Sequence, residues 1–380
     1  MEDENGMLQE FISAIENGIP VTIFGCTDFG KSIYGILKSI NRKAEIDFID
    51  NSIEKQKELF CSEKVYAVEQ KKMEEAAAYY VIASFRFCDE MQKQLMANNV
   101  KKEYIVRPEI AEQLPATARK TSHRLLKFAV DLAEHCNLNC KGCDHFSPLA
   151  KERFTDIEEY EKDMKRLADL FGDKVDQIKL EGGEPLLNPN IIKFIEITYK
   201  YFPQTLISIY TNGTLLLKKD NLFWEACGKY GVEIEITKYP ISFSYDLVYE
   251  KAKEKGVTVN YFGGGETVKT LRHHPLDLEG NQDIENNFEH CFLANNCIML
   301  KEGKLYTCTM IPNMKHFRRY FNQNIKVAEN DGINIYTAKS ASEIMEFLSK
   351  PVSACRYCKV SERTDGHAWD VSKREIEEWT

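Results

Sequence analysis

From residue 125 onward the chain repeats one pattern: a short apolar run, a turn, then an amphipathic helix. Leu125–Leu132, Val175–Leu180, Leu206–Tyr210, Val232–Thr237 and Val257–Tyr261 have strand length. Helical spacing fills Asp156–Phe171, with Thr155 as the expected N-cap, and Ile191–Tyr201, and recurs before the fourth and fifth runs. Parallel strands need long crossover connections, and helices supply them. A series of this length therefore predicts a full or partial (β/α) barrel, whose functional loops gather at the C-terminal ends of the strands. Three unusual turns fall there: Cys136-Asn-Leu-Asn-Cys140-Lys-Gly-Cys143, Gly182-Gly183-Glu184-Pro185 and Thr211-Asn212-Gly213.

A second alternation precedes the first. A helix over 7–17 stops at Gly18, and strands at Val21–Phe24, Glu45–Ile49 and Tyr79–Ala83 alternate with helices over 31–40 and Cys88–Ala97. This predicts a doubly wound parallel sheet. Residues 108–121 are small and polar without a clear strand, which puts a boundary near 118. From 281 the character changes again. Ile298–Leu300 and Leu305–Thr307 flank Lys301-Glu-Gly-Lys304 as a β-hairpin, and a helix over Ser342–Leu348 precedes Cys355-Arg-Tyr-Cys358. The expected division is α/β throughout: 1–118, 119–280 and 281–380.

At 380 residues and 43% hydrophobic content the chain has ample material for cores. It lacks an apolar run long enough for a membrane span. Its net charge of −9 and dispersed basic residues argue against nucleic acid as a partner. The acidic start, Met1-Glu-Asp-Glu-Asn, is unlike a signal peptide, so the cytoplasm is the expected compartment. There, twelve cysteines mean metal or thiol chemistry rather than disulfides. Cys26, Cys61, Cys88 and Cys227 are scattered in apolar contexts and read as small core residues. The other eight cluster at Cys136, Cys140 and Cys143, and at Cys291, Cys297, Cys308, Cys355 and Cys358. A four-iron cluster takes about four thiolates, so three on one loop leave an iron open to a ligand. Zinc, with His135 or His145 as a fourth ligand, is the alternative.

The Cys-x3-Cys-x2-Cys loop after the first strand and Gly-Gly-Glu-Pro after the second resemble the radical S-adenosylmethionine (radical SAM) superfamily over roughly residues 120–265. The resemblance implies a [4Fe–4S] cluster on Cys136, Cys140 and Cys143, with SAM on the open iron. One-electron cleavage of SAM would give a 5′-deoxyadenosyl radical that takes a hydrogen atom from carbon. It places Gly182, Gly183 and Glu184 at the SAM amino group, and Thr211 and Asn212 near its ribose. One departure is Gly142, where many members carry an aromatic residue against the adenine.

The later cysteines resemble an auxiliary-cluster domain of the short "twitch" kind, related to the longer SPASM form. This implies a second [4Fe–4S] cluster on Cys291, Cys308, Cys355 and Cys358, with Cys297 in place of Cys291 as the rival and a zinc knot as the alternative. Val21 to Gly30, followed by Asp50, resembles a Rossmann-like dinucleotide turn, with Thr27 where the middle glycine belongs. Nucleotide binding and a structural or docking role both remain open for it. Asp144 and His145 are candidates to lie near substrate, His290 to support a ligand, and His273-His274 reads as a loop pair.

The expected activity is hydrogen abstraction from a small polyol, amino-sugar or nucleotide-linked sugar, ending in oxidation or epimerisation. Reduced flavodoxin or ferredoxin would donate the electron. Modification of a ribosomal peptide is the rival reaction, and a non-catalytic zinc- or iron-binding protein the rival class.

Overall fold

In the N-terminal part, six strands are β1 (Val21–Phe24), β2 (Ile46–Ile49), β3 (Leu59–Phe60), β4 (Glu63–Tyr66), β5 (Tyr79–Ile82) and β6 (Ile105–Val106). They pair in the order β3-β4-β2-β1-β5-β6, with only β3 antiparallel. That is the doubly wound arrangement expected, with three short strands, β3, β4 and β6, that the sequence reading passed over. The turn after β1 is closed by the chain itself. Asp50 Oδ2 accepts from Cys26 N at 2.8 Å and its Oδ1 from Ser52 N at 2.9 Å, while Lys55 Nζ donates to Cys26 O at 2.8 Å. Thr27 caps the helix Asp28–Ile40 by accepting from Gly30 N at 3.0 Å. The Asp50 carboxylate is thus engaged in fixing the turn.

This computed structural model describes residues 2–41, 44–61, 63–70, 78–114, 125–262 and 266–380. It divides into two units, Met1–Arg124 and Leu125–Thr380. No helix among the described residues is long and apolar enough to cross a membrane.

The second unit is built on β7 (Leu125–Ala133), β8 (Val175–Gly182), β9 (Leu206–Thr211), β10 (Glu233–Ile236) and β11 (Val259–Tyr261), all parallel. The C-terminal hairpin, β13 (Met299–Lys301) and β14 (Lys304–Tyr306), with β15 (Gly332–Asn334), joins this same sheet: β13 lies parallel to β7. Glu302 and Gly303, both at positive φ, make its two-residue turn. A separate two-stranded ribbon pairs β12 (Thr270–His273) with β16 (Thr364–Ala368). Asp156, rather than Thr155, caps the helix Ile157–Phe171, accepting from Glu158 N and Glu159 N. Thr155 turns its hydroxyl to the Asp131 carbonyl instead.

Alternation along the strands sorts the two faces of this sheet. Phe128, Val130, Ile178, Leu180, Ile207, Ile209, Ile234 and Ile236 pack against helical residues such as Met164, Leu167, Phe194 and Trp224. Apart from Ala129, the residues between them are polar: Lys127, Asp131, Gln177, Lys179, Glu181, Ser208, Tyr210, Glu233 and Glu235. Asn260 of β11 donates to Glu235 at 2.9 Å and to Glu233 at 3.2 Å across this polar face.

A buried charge network fixes the hairpin beside β7. Asp131 lies 3.1 Å from Lys301 Nζ, 3.0 Å from His145 Nδ1 and 2.9 Å from Asn313 Nδ2. Lys301 also reaches Glu134 at 3.1 Å, and Lys315 reaches it at 2.8 Å. Asn313 and Lys315 stand on the helix Met310–Phe321, whose Pro312 sits in the first turn, where a missing N–H costs little. Burial would lower the His145 pKa, but Asp131 and Glu181 raise it to about 9. His316, on the same helix, goes the other way. Burial lowers it to about 4, with Lys301, Lys315 and Arg319 adding to burial and Glu134 opposing it.

A pH prediction follows from His316. An unfolded imidazole protonates near 6.5, so between about pH 6.5 and 4 the unfolded chain binds the extra proton. Stability should fall with pH across that window, by up to about 3 kcal/mol. Urea unfolding as a function of pH checks this: His316→Phe should flatten the acid limb, and an unchanged limb would assign it to another group. His145 has the opposite sign and acts above pH 6.5.

Trp379 closes the C-terminal core. It is 1% exposed, its ring lies 6.1–6.3 Å from those of Phe146, Phe317 and Phe321, and its Nε1 donates to Cys143 O at 3.1 Å. Trp379→Ala should cost about 3–5 kcal/mol. A loss under 1 kcal/mol in chemical unfolding would contradict the packing described.

Candidate functional site

The cysteine loop leaves the C-terminal end of β7. Its tight path uses positive φ at Asn139 and Gly142. Cys136, Cys140 and Cys143 lie within electrostatic reach of one another. Burial pushes the Cys136 thiol up to about 11 and Cys143 to about 12, so in the bare protein they are held as thiols. N–H groups are aimed at the sulfurs. Leu138 N donates to Cys136 Sγ at 3.4 Å, Trp369 Nε1 donates to Cys140 Sγ at 3.1 Å, and a Ser147 backbone donor serves Cys143. Such donors suit anionic thiolates on a cluster. Among the described residues, no three His, Cys, Asp or Glu side chains converge closely enough to hold a single metal ion.

Segment 369–372 runs alongside this loop. Lys141 N donates to Asp370 O at 2.9 Å and Ser372 N to Asn139 O at 2.8 Å, around a Cys140–Val371 bridge. The Trp369 ring lies 5.8 Å from that of Tyr239, which itself bonds toward Cys140. Neither aromatic stood out in the sequence. The missing aromatic at Gly142 was the one hint that a ring must come from elsewhere.

The Gly-Gly-Glu turn is tied to the same loop. Gly183 N donates to Ala133 O at 2.8 Å and Glu184 N to His135 O at 3.1 Å, immediately before Cys136. A Cβ on Gly182 would meet Ala133 O at 2.4 Å, and one on Gly183 would meet His135 O at 2.1 Å. Both glycines are therefore required by close backbone approach. Glu184 is fully buried, and its carboxylate accepts from Thr211 Oγ1 at 2.7 Å, Asn212 N at 3.0 Å and Leu186 N at 3.0 Å. Burial raises its pKa against those donors. Glu184 thus clasps the second and third turns together, with its oxygens committed to the chain. Asn212 in turn donates to Asn137 Oδ1 at 2.9 Å, so all three turns form one hydrogen-bonded floor.

The five later cysteines separate into four and one. Cys308 senses Cys291, Cys358 and Cys355, and Cys355 and Cys358 each sense Cys291. Cys297 instead faces Lys179, Glu181 and Lys127 on the polar face of the sheet. Arg363 Nη1 donates to Cys291 Sγ at 3.2 Å, and Asn287 Nδ2 donates to the carbonyls of Cys355 at 2.8 Å and Cys358 at 2.5 Å. His290 bonds back to Asn286 O of its own helix.

Asp144 lies between the two sets, within electrostatic reach of Cys143, Cys297, Cys358 and Arg363. Its Oδ1 is 2.7 Å from Nδ1 of buried His274, and Leu276, two residues on, bridges to Cys358. The loop pair of the sequence reading is therefore half of a buried imidazole–carboxylate pair, joined across 130 residues. His145 lies with Asp131 and Glu181, 3.8 Å from the latter.

Residues 130–236 match the family described as the radical SAM superfamily. The GTP 3′,8-cyclase of Nautilia profundicola is 30% identical over 97 residues, covering 26% of this chain and 30% of that protein. A probable GTP 3′,8-cyclase of Pyrococcus abyssi is 37% identical over 87 residues, covering 23% and 27%. The chain thus spans about three-tenths of the length of these curated relatives. Among solved structures, BtrN in complex with AdoMet and 2-DOIA aligns at 19% identity over 61% of this chain and 92% of that one, with a TM-score of 0.41. The cysteine loop, the paired glycines and the Thr211 turn all lie in the segment that matches the radical SAM superfamily.

Proposed function

We propose that the chain is a two-cluster radical SAM enzyme that removes a hydrogen atom from a small hydroxyl- or amine-rich substrate, a polyol, amino-sugar or nucleotide-linked sugar, and oxidises or epimerises it. Cys136, Cys140 and Cys143 would hold one [4Fe–4S] cluster, and Cys291, Cys308, Cys355 and Cys358 the other. The first cluster with SAM supplies one-electron cleavage to a 5′-deoxyadenosyl radical. The chain's own part is to hold the three turns rigid through Glu184 and Asn212, and to present hydrogen-bonding side chains beside them.

The observation that carries this reading is the polar face of the sheet. Lys127, Gln177, Lys179, Glu181, Tyr210, Glu233 and Glu235 line it in register, and Cys297 and Asp144 border it. Such a lining matches a molecule rich in hydroxyls or amines, each able to pair with a placed side chain. A cytoplasmic setting with reduced flavodoxin or ferredoxin as donor fits these clusters.

The cyclase relatives favour a second reading, a purine nucleoside triphosphate substrate, since those enzymes are named for GTP. Incubation with C-deuterated amino-cyclitols, UDP-sugars or GTP separates the two. Deuterium should enter 5′-deoxyadenosine with a sugar or cyclitol. Transfer from GTP alone would replace the first reading with the second.

Anaerobic reconstitution should give about eight irons per chain, from two four-iron clusters. Replacing Cys136, Cys140 and Cys143 by Ala should halve the iron and abolish SAM cleavage; iron at the full level would sink the first assignment. Replacing Cys355 and Cys358 by Ala should remove the other half and leave substrate-free SAM cleavage intact. Wild-type product formation by that double variant would exclude an oxidation through the second cluster.

A further inference from the structure

The residues on either side of one strand reach both cysteine sets. β16 pairs antiparallel with β12, in the register Thr270 with Ala368 and His273 with Thr364. Just before it, Arg363 Nη1 donates to Cys291 Sγ at 3.2 Å. Just after it, Trp369 Nε1 donates to Cys140 Sγ at 3.1 Å. The ribbon is held at both ends, by Trp369 N donating to Lys269 O at 2.9 Å and by Lys359 N donating to Pro275 O at 2.9 Å. The two donors differ in kind. The guanidinium is cationic, and the indole is neutral.

A hydrogen bond to a cluster thiolate stabilises the reduced, more negative state and raises the reduction potential. A charged donor does so about twice as strongly as a neutral one. Asp331 beside Cys355 and Asp144 beside Cys358 pull the other way, and Arg363 is the cation set against them.

We propose that Arg363 and Trp369 set the electron order of the two clusters. Arg363 makes the four-cysteine cluster the easier to reduce, and the neutral Trp369 leaves the SAM-side cluster the stronger reductant. This rests on the two-cluster reading above. An alcohol carbon that has given its hydrogen atom to the deoxyadenosyl radical must still release one proton and one electron to become a carbonyl. On this order the electron leaves toward the Cys291 set. Both residues are positioning residues, acting through the thiolates they bond.

The test is a redox titration of reconstituted holoenzyme followed by electron paramagnetic resonance, with iron content measured for every variant. Arg363→Gln should lower the reduced-to-oxidised ratio of the second cluster at fixed potential about tenfold, which is about 59 mV for one electron, and leave the first unmoved. Arg363→Lys should restore most of that shift. Trp369→Phe should move only the first cluster, by a smaller factor. Full iron with unmoved potentials, or both clusters moving together in either variant, overturns the ordering alone. A wild-type chain with about four irons overturns the two-cluster reading and the ordering with it.

Discussion

Two backbone hydrogen bonds carry much of this site: Gly183 N to Ala133 O, and Glu184 N to His135 O. They join the end of β8 to the residues that lead into the cysteine loop. Only glycine fits at 182 and 183, because a side chain on Gly182 would run into the Ala133 carbonyl and one on Gly183 into the His135 carbonyl. Once the two strand ends are locked, Glu184 is buried where Thr211 and Asn212 can reach it, and the third turn is drawn in. The position of three loops is therefore decided by parallel pairing, which a regular sheet provides at little extra cost.

The charge network does the same work for the C-terminal segment. β13 contributes two register pairs to β7, too few to anchor a hairpin alone. Lys301 adds contacts to Asp131, Glu134 and Asn313, all with buried side chains. Each carboxylate there has a cationic partner, which is the condition under which buried charge is tolerated. The same network keeps one histidine charged and another neutral.

Much of the sheet was legible because its signal is local. Apolar residues at every second strand position, turns after each strand and glycines at close approaches can be read within a dozen residues. The hairpin and the three turns were found in this way. The cap of the helix Ile157–Phe171 was misassigned by one residue because Thr155 and Asp156 are both good cap types, and only the Asp131 carbonyl decides which is free. Other features lie between distant residues and leave no local trace: the His274–Asp144 pair and the two donors on either side of β16.

The order of synthesis gives the Trp369 contact a further meaning. Cys140 is made 229 residues before the indole that bonds its sulfur. Segment 369–372, which pairs with the loop, is equally late. Through most of translation, then, the β7–β9 core can fold while one side of the cysteine loop still lacks its partner strand. Segment 369–372 covers that side of the loop once it is made.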